Sequence, residues 1–218
     1  QISDTYKEIK LLALFVKDFG EDLAVLPAEI DPVGVNPEDM HTLRLSWRHD
    51  DNHGYVFFNN YQRKRRMDEH NSVTLEGRYK EAPVEFPKLD LPSGSYGFFP
   101  YHFREGDSEL ISANATPLCR LRGEDGTICV VFYGDWDPAF VWKDEKHFPI
   151  LHLDRKQALQ AWKVTLDQDY LILSDDYVWE EIGKLHIEGE KNTVIRCYPK
   201  LKEFSVLPDG FEVCGWDQ

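Results

Sequence analysis

Leu43-Arg44-Leu45-Ser46-Trp47-Arg48, then Asp50-Asp51-Asn52-His53-Gly54, then Tyr55-Val56-Phe57-Phe58 is the stretch that decides the fold class. Apolar and polar residues alternate across 43–48, the period-two signature of a half-buried strand, and Trp47 continues the inward-facing set. Five turn-forming residues interrupt the run before apolar residues resume at Tyr55. Asn and Gly tolerate the positive φ angles of tight reversals, so 43–58 is expected to form a β-hairpin.

Downstream, strand-like runs recur at 72–76, 95–103, 109–121, 127–133, 138–142, 163–167, 169–174, 184–188, 192–198 and 211–216. Turn signals divide them: Pro92-Ser93-Gly94, Gly123-Glu124-Asp125-Gly126 and Pro208-Asp209-Gly210. Residues 154–162 fit a short helix. Many short strands with Gly, Asp and Pro turns predict a mostly β chain built as an antiparallel, jelly-roll-like β-sandwich. Upstream, residues 4–26 carry the one long helical pattern, an N-terminal amphipathic helix with capping-box spacing at Thr5 and Glu8 and a stop at Pro27. Ile9, Leu12, Val16, Phe19, Leu23 and Leu26 form its expected inward stripe. Leu11, Leu14 and Phe15 are apolar too, but lie off that stripe, so the helix is expected to meet two neighbours, one of them outside this chain, and a bracing role predicts that Leu11, Leu14 and Phe15 are exposed toward it. The organisation expected is a helix and linker over 1–40, a first β-sandwich unit over 41–145, and a smaller β unit, or continuation of the same sandwich, over 146–218.

The chain has 218 residues, 42% of them hydrophobic and 13% aromatic, enough material for a packed core. The apolar segment 11–16 is far too short to span a bilayer, so no membrane partner is expected. With 39 acidic against 25 basic residues the formal charge is −14, a field that repels phosphate and argues against nucleic acid. The basic run Arg63-Lys64-Arg65-Arg66 is followed by Asp68 and Glu69 and reads as a solvated turn or a local ion-pair cluster. Cys119, Cys129, Cys197 and Cys214 are widely spaced, which fits a reducing, cytoplasmic setting and leaves room for one disulfide. The chain opens at Gln1 without Met or signal peptide and runs almost directly into the helix, which suggests a piece of a longer protein.

The sequence carries no phosphate loop, nucleophile elbow or H-E-x-x-H pattern. His49 and His53 flank an Asp-rich turn, which reads as a hairpin tip before it reads as a metal site; no metal and no cofactor is expected. The doublets Asp50-Asp51, Asp175-Asp176 and Glu180-Glu181 point to opposite faces of a strand, and nothing selects a catalytic pair. Binding chemistry is better represented. Asn59-Asn60-Tyr61-Gln62-Arg63 is either a strand end satisfying its own loop or a polar finger aimed at a ligand or a neighbouring domain. Exposed rings are platforms for the apolar faces of sugars, and Tyr61 and Trp136 lie at loop edges where exposure is expected. The candidate carbohydrate-binding residues are therefore Asn60, Tyr61, Gln62, Arg63 and Trp136.

Three segments carry a family resemblance: Gly54-Tyr55-Val56-Phe57-Phe58-Asn59-Asn60-Tyr61-Gln62-Arg63, Leu91-Pro92-Ser93-Gly94-Ser95-Tyr96-Gly97-Phe98-Phe99-Pro100, and Ala113-Asn114-Ala115-Thr116-Pro117-Leu118-Cys119-Arg120-Leu121. In this order they resemble the region after the catalytic barrel in bacterial β-galactosidase-like enzymes of glycoside hydrolase family 35, over roughly residues 5–135. The resemblance implies a non-catalytic β-region that braces a (β/α)₈ barrel of the same polypeptide and shapes its carbohydrate cleft. Such a barrel needs about 250 residues of alternating strand and helix, which this chain lacks, so no catalytic residue is carried over. Two other readings stand beside it: an independent carbohydrate-binding module, and a self-contained hydrolase with an unfamiliar site.

Overall fold

The computed structural model describes residues 3–32, 36–80, 82–189 and 194–200, together with the backbone of 212–215. The turn expected at Pro208-Asp209-Gly210 and the ends of the strands expected at 192–193, 211 and 216 lie outside the described residues. The described residues are mostly β, 48% strand against 15% helix, with antiparallel sheets of sandwich-like class and one N-terminal helix. In chain order the elements are α1 (Asp4–Val25), β1 (Ala28–Ile30), β2 (Arg44–His49), β3 (Gly54–Asn59), β4 (His70–Val73) and β5 (Glu76–Gly77). Then come β6 (Val84–Glu85), β7 (Leu89–Leu91), β8 (Tyr96–Glu105), β9 (Ser108–Ala113), β10 (Thr116–Arg122), β11 (Ile128–Gly134) and β12 (Phe140–Trp142). The last are β13 (Ile150–Asp154), α2 (Arg155–Leu159), β14 (Ala161–Thr165), β15 (Asp169–Leu173), β16 (Tyr177–Glu181), β17 (Lys184–Glu188), β18 (Val194–Tyr198) and β19 (Glu212–Gly215).

These elements form two compact units. Unit 1 takes Gln1–Asp18, Leu118–Tyr133 and Pro149–Gln218; unit 2 takes Phe19–Pro117 and Gly134–Phe148. Along the chain the unit changes at 18/19, 117/118, 133/134 and 148/149.

Unit 2 is built on a six-stranded antiparallel sheet in the order β1-β2-β3-β8-β9-β12. The β2–β3 hairpin holds the register Trp47↔Val56, and β3 pairs onward with β8 at Val56↔Phe99. Trp47, Val56, Phe58, Phe99 and Tyr101 from this sheet share a core with Leu75, Val84, Phe86, Leu89 and Leu91 from the β4–β7 and β5–β6 segments. The indole Nε1 of Trp47 donates to the Glu76 carbonyl at 2.8 Å, so the buried ring keeps its polar edge satisfied. The hairpin reverses differently from expectation. None of residues 50–54 takes a positive φ. Instead Asp50 Oδ1 accepts from the Asn52 and His53 backbone N–H groups at 2.7 and 3.0 Å, an Asx-type turn. Gly54 is required for space: a Cβ there would lie 2.5 Å from the Tyr101 hydroxyl.

Unit 1 contains a three-stranded sheet, β10-β11-β13, and a four-stranded sheet, β14-β15-β18-β19, in which β18 and β19 run parallel. The β16–β17 hairpin is a separate antiparallel pair. Leu11 of α1 packs into a cluster with Leu118, Cys119, Val131, Leu153, Ala158 and Leu171. Cys119 and Cys129 are buried in this cluster, and Cys197 is buried in a second one with Trp162, Val164 and Ile172, each a small apolar residue of the interior. Helix α2 starts where the sequence expects it, through an Asp154–Gln157 capping box, and ends sooner, at Leu159.

The orientation of α1 corrects the sequence reading. Leu11 and Phe15 are buried at 4% and 2% exposure, whereas Ile9, Leu12 and Val16 are exposed at 61%, 57% and 48%; of the expected inward stripe Phe19 and Leu26 are buried. Both faces of the helix are apolar, so period alone could not choose between them. The buried face also carries Lys10 and Asp18, whose partners are remote in sequence. Lys10 Nζ donates to the Leu159 carbonyl at 3.1 Å and sits 3.7 Å from the centroid of the Trp162 ring. Burial, helped by neighbouring Lys7 and opposed by Asp175, lowers its pKa to about 7. Asp18 accepts from Lys163 Nζ at 2.9 Å and from the Arg120 backbone N–H at 2.7 Å.

Candidate functional site

The five residues singled out from the sequence all belong to unit 2, and the structure gives them different roles. Asn60 is fully buried. Its Nδ2 donates to the carbonyls of Asp68, Leu91 and Pro92 at 2.8, 3.1 and 3.1 Å, which ties three chain segments together. Trp136 is partly buried, packs edge-on against Phe58 and Phe99, and donates from Nε1 to the Asp90 carbonyl at 2.7 Å. Both side chains hold the scaffold. Tyr61, by contrast, is 49% exposed at the start of a tight turn closed by a Gln62–Arg65 bridge. Its backbone is pinned by the Asn59 side chain at 2.7 Å and by Arg44 at 3.0 Å. Arg65 and Arg66 pair with Glu38 and Glu69, while Arg63 and Lys64 are exposed. Tyr61, Gln62 and Arg63 thus sit together on one preorganised surface turn, with Asn60 as its anchor.

His49 and His53, flanking the acidic turn, also find local partners. His49 Nε2 lies 3.1 Å from Glu29, and His53 lies 3.1 Å from Asp22 and 3.3 Å from Asp50. The hydrogen bond to Asp22 raises the His53 pKa against the opposing effect of burial, and the charges of Asp22 and Asp50 add to the rise. Among the described residues no group of three or more His, Cys, Asp or Glu could hold a metal ion. No helix among them is long and apolar enough to cross a membrane.

The more prominent surface lies in unit 1. Tyr6, Ile9, Leu12 and Val16 recur at helical spacing along α1 and are between 45% and 61% exposed. Tyr6 leads from this stripe into a chain of ring contacts: to Trp162 at 6.3 Å between centroids, Trp162 to Tyr177 at 5.2 Å, Tyr177 to Trp179 at 5.1 Å, and Trp179 to His186 at 5.1 Å. The last two pairs are nearly parallel, inclined by 29° and 17°. Parallel rings this close are offset stacks that cover one another's faces, so they stiffen the β16–β17 hairpin and do not present an open row of sugar platforms.

At the tip of that hairpin stands Ile182, 91% exposed. Neither Ile182 nor strand β16 is among the elements expected from the sequence. The available signal was an Ile-Gly pair between Val178-Trp179 and Leu185-Ile187, where a two-residue hairpin loop fits.

Comparison of the sequence with models of known protein families, and with curated proteins, yields no match.

Proposed function

We propose that this chain is a non-catalytic β-rich region of a β-galactosidase-like glycoside hydrolase of family 35, bracing the catalytic barrel of the same polypeptide. The observation that carries the reading is the exposed apolar stripe Tyr6, Ile9, Leu12 and Val16 on α1. Scattered apolar residues on a surface need no explanation, but four on one helical face form a strip suited to protein packing. Covering each half-exposed side chain of this size is worth roughly 1 kcal/mol, so the strip supplies several kcal/mol toward docking. The resemblance of 54–63, 91–100 and 113–121 supplies the identity of the partner, and the turn at Tyr61–Arg63 is the part suited to line a carbohydrate cleft.

The test introduces Ile9→Lys with Leu12→Lys. In the isolated 218-residue chain the double variant keeps its circular dichroism spectrum and melting temperature, because both positions face solvent. In the longer polypeptide that carries the barrel it lowers the melting temperature and loosens the barrel contact. An unchanged melting temperature there refutes the reading, as does turnover of nitrophenyl glycosides by the purified 218-residue chain.

A further inference from the structure

Among the described residues, four other than glycine take a positive φ: Lys64, Ser72, His102 and Ile182. The backbone N–H of Ser72 donates to the Asp90 carboxylate, His102 bonds to Glu109, and Lys64 lies in a turn closed by a Gln62–Arg65 bridge. Ile182 differs. It is β-branched, the residue type least suited to the left-handed region, and its side chain is 91% exposed.

Its position is defined by the hairpin around it. Glu181 pairs with Lys184, so Ile182 and Gly183 form a two-residue loop with φ of 53° and 69°, the pattern of a type I′ turn. Such a turn favours Asn or Gly at its first position. Ile there strains the backbone and leaves nearly a whole aliphatic side chain in water. Among the described residues neither cost is recovered. The hairpin beneath is rigid: Gly183 N–H donates to Glu180 Oε1 at 2.6 Å, and the Tyr177–Trp179–His186 stack braces its face. The surroundings of the tip are mainly acidic, with Glu180, Glu181 and Glu188 exposed beside Lys184. That charge opposes approach to an anionic lipid surface and favours a protein pocket edged by Lys or Arg.

We propose that Ile182 is an apolar anchor that seats in a basic-rimmed socket on a protein partner, with the rigid β16–β17 hairpin holding it in the binding conformation. Strained, exposed anchors of this kind are retained where contact energy outweighs their cost. On the reading above, which this inference deepens, the socket is on the catalytic barrel of the same polypeptide.

The test is Ile182→Asn in two settings. In the isolated chain the substitution relieves the turn and raises the melting temperature by roughly 2–4 °C. In the longer polypeptide it lowers the melting temperature, since the anchor is lost. A photoreactive benzoylphenylalanine at position 182 of the longer polypeptide should crosslink to a segment beyond these 218 residues. A crosslink into a segment that is not a barrel supports the anchor and refutes the β-galactosidase reading, so the two fail separately. Stabilisation by Ile182→Asn in both settings, absence of any crosslink, or tip-dependent cosedimentation with phosphatidylserine vesicles overturns the inference.

Discussion

Glu109 in β9 gathers three donors on one largely buried carboxylate. His102 Nδ1 lies 2.8 Å from Oε1, while Arg104 Nε and Lys143 Nζ lie 3.1 and 2.9 Å from Oε2. Its side chain is only 10% exposed. Burial alone would push the carboxyl up, but the hydrogen bonds from His102, Lys143 and Arg104 outweigh it and bring the pKa down from 4.5 to about 2. At about 1.4 kcal/mol per unit the shift corresponds to roughly 3 kcal/mol. The side chains of Arg104 and Lys143 are 57% and 56% exposed, so solvent screening reduces the usable figure to about 1–2 kcal/mol. The sign follows from linkage. A carboxyl with a depressed folded pKa contributes its stability above the unfolded value of about 4.5 and loses it as pH falls toward 2. Glu109→Gln keeps the shape and removes the charge. The difference in unfolding free energy between wild type and variant should be about 1–2 kcal/mol at pH 7 and shrink steadily below pH 4. Urea unfolding at several pH values measures it, with hydrogen exchange of β8 and β9 peptides confining the readout to unit 2. A difference that stays constant from pH 7 to pH 2.5 would show that the loss is one of packing and refute the electrostatic account.

Three further outcomes are expected. Asn60→Ala removes the donor shared by the Asp68, Leu91 and Pro92 carbonyls and should cost about 2–4 kcal/mol in urea unfolding, while Tyr61→Ala next to it changes stability by less than about 0.5 kcal/mol. His53, whose pKa is raised chiefly by its hydrogen bond to Asp22, stabilises unit 2 fully below its unfolded value near 6.5 and loses that contribution as pH rises through the folded value; His53→Gln should therefore lower the melting temperature at pH 6 and have little effect at pH 9. Gly54→Ala drives a methyl group to within 2.5 Å of the Tyr101 hydroxyl and 2.6 Å of His49 Cβ, and should lower stability by about 1–3 kcal/mol in thermal unfolding.

The parts of the fold that were legible in the sequence are those set by local rules. Alternation over 43–48 placed Trp47 inward, and the short helix expected from residue 154 begins there, on an Asp154 N-cap. The parts that were not legible depend on partners far along the chain. Lys10 and Asp18 look like outward-facing residues until Leu159, Trp162, Arg120 and Lys163 are brought beside them. The same distance effect hid the role of Asn60, which reads as a ligand-facing amide but spends its donors on carbonyls up to 32 residues away. Strand β16 escaped because Tyr177, Trp179 and the two glutamates leave Val178 as its one buried residue.

What local rules disfavour and distant partners do not repair is then informative. The buried lysine and the left-handed histidine each violate a local preference and recover the cost through bonds inside their own unit, and the fully buried asparagine does so through its amide donors, its Oδ1 having no partner among the described residues. Among the described residues the isoleucine at the β16–β17 tip recovers nothing of the kind, and Ile9, Leu12 and Val16 on α1 stay exposed, while Tyr6 gains a ring contact to Trp162. A folded chain that is otherwise locally consistent has no reason of its own to keep a β-branched side chain in a left-handed turn and four apolar side chains along one wet helical face. Both exceptions fall in unit 1, and ring contacts from Tyr6 through Trp162 and Tyr177 to Trp179 run from the helix to the hairpin. Two independent kinds of cost, strain at one end of this chain of rings and unburied area at the other, are the observations on which the proposed docking face rests.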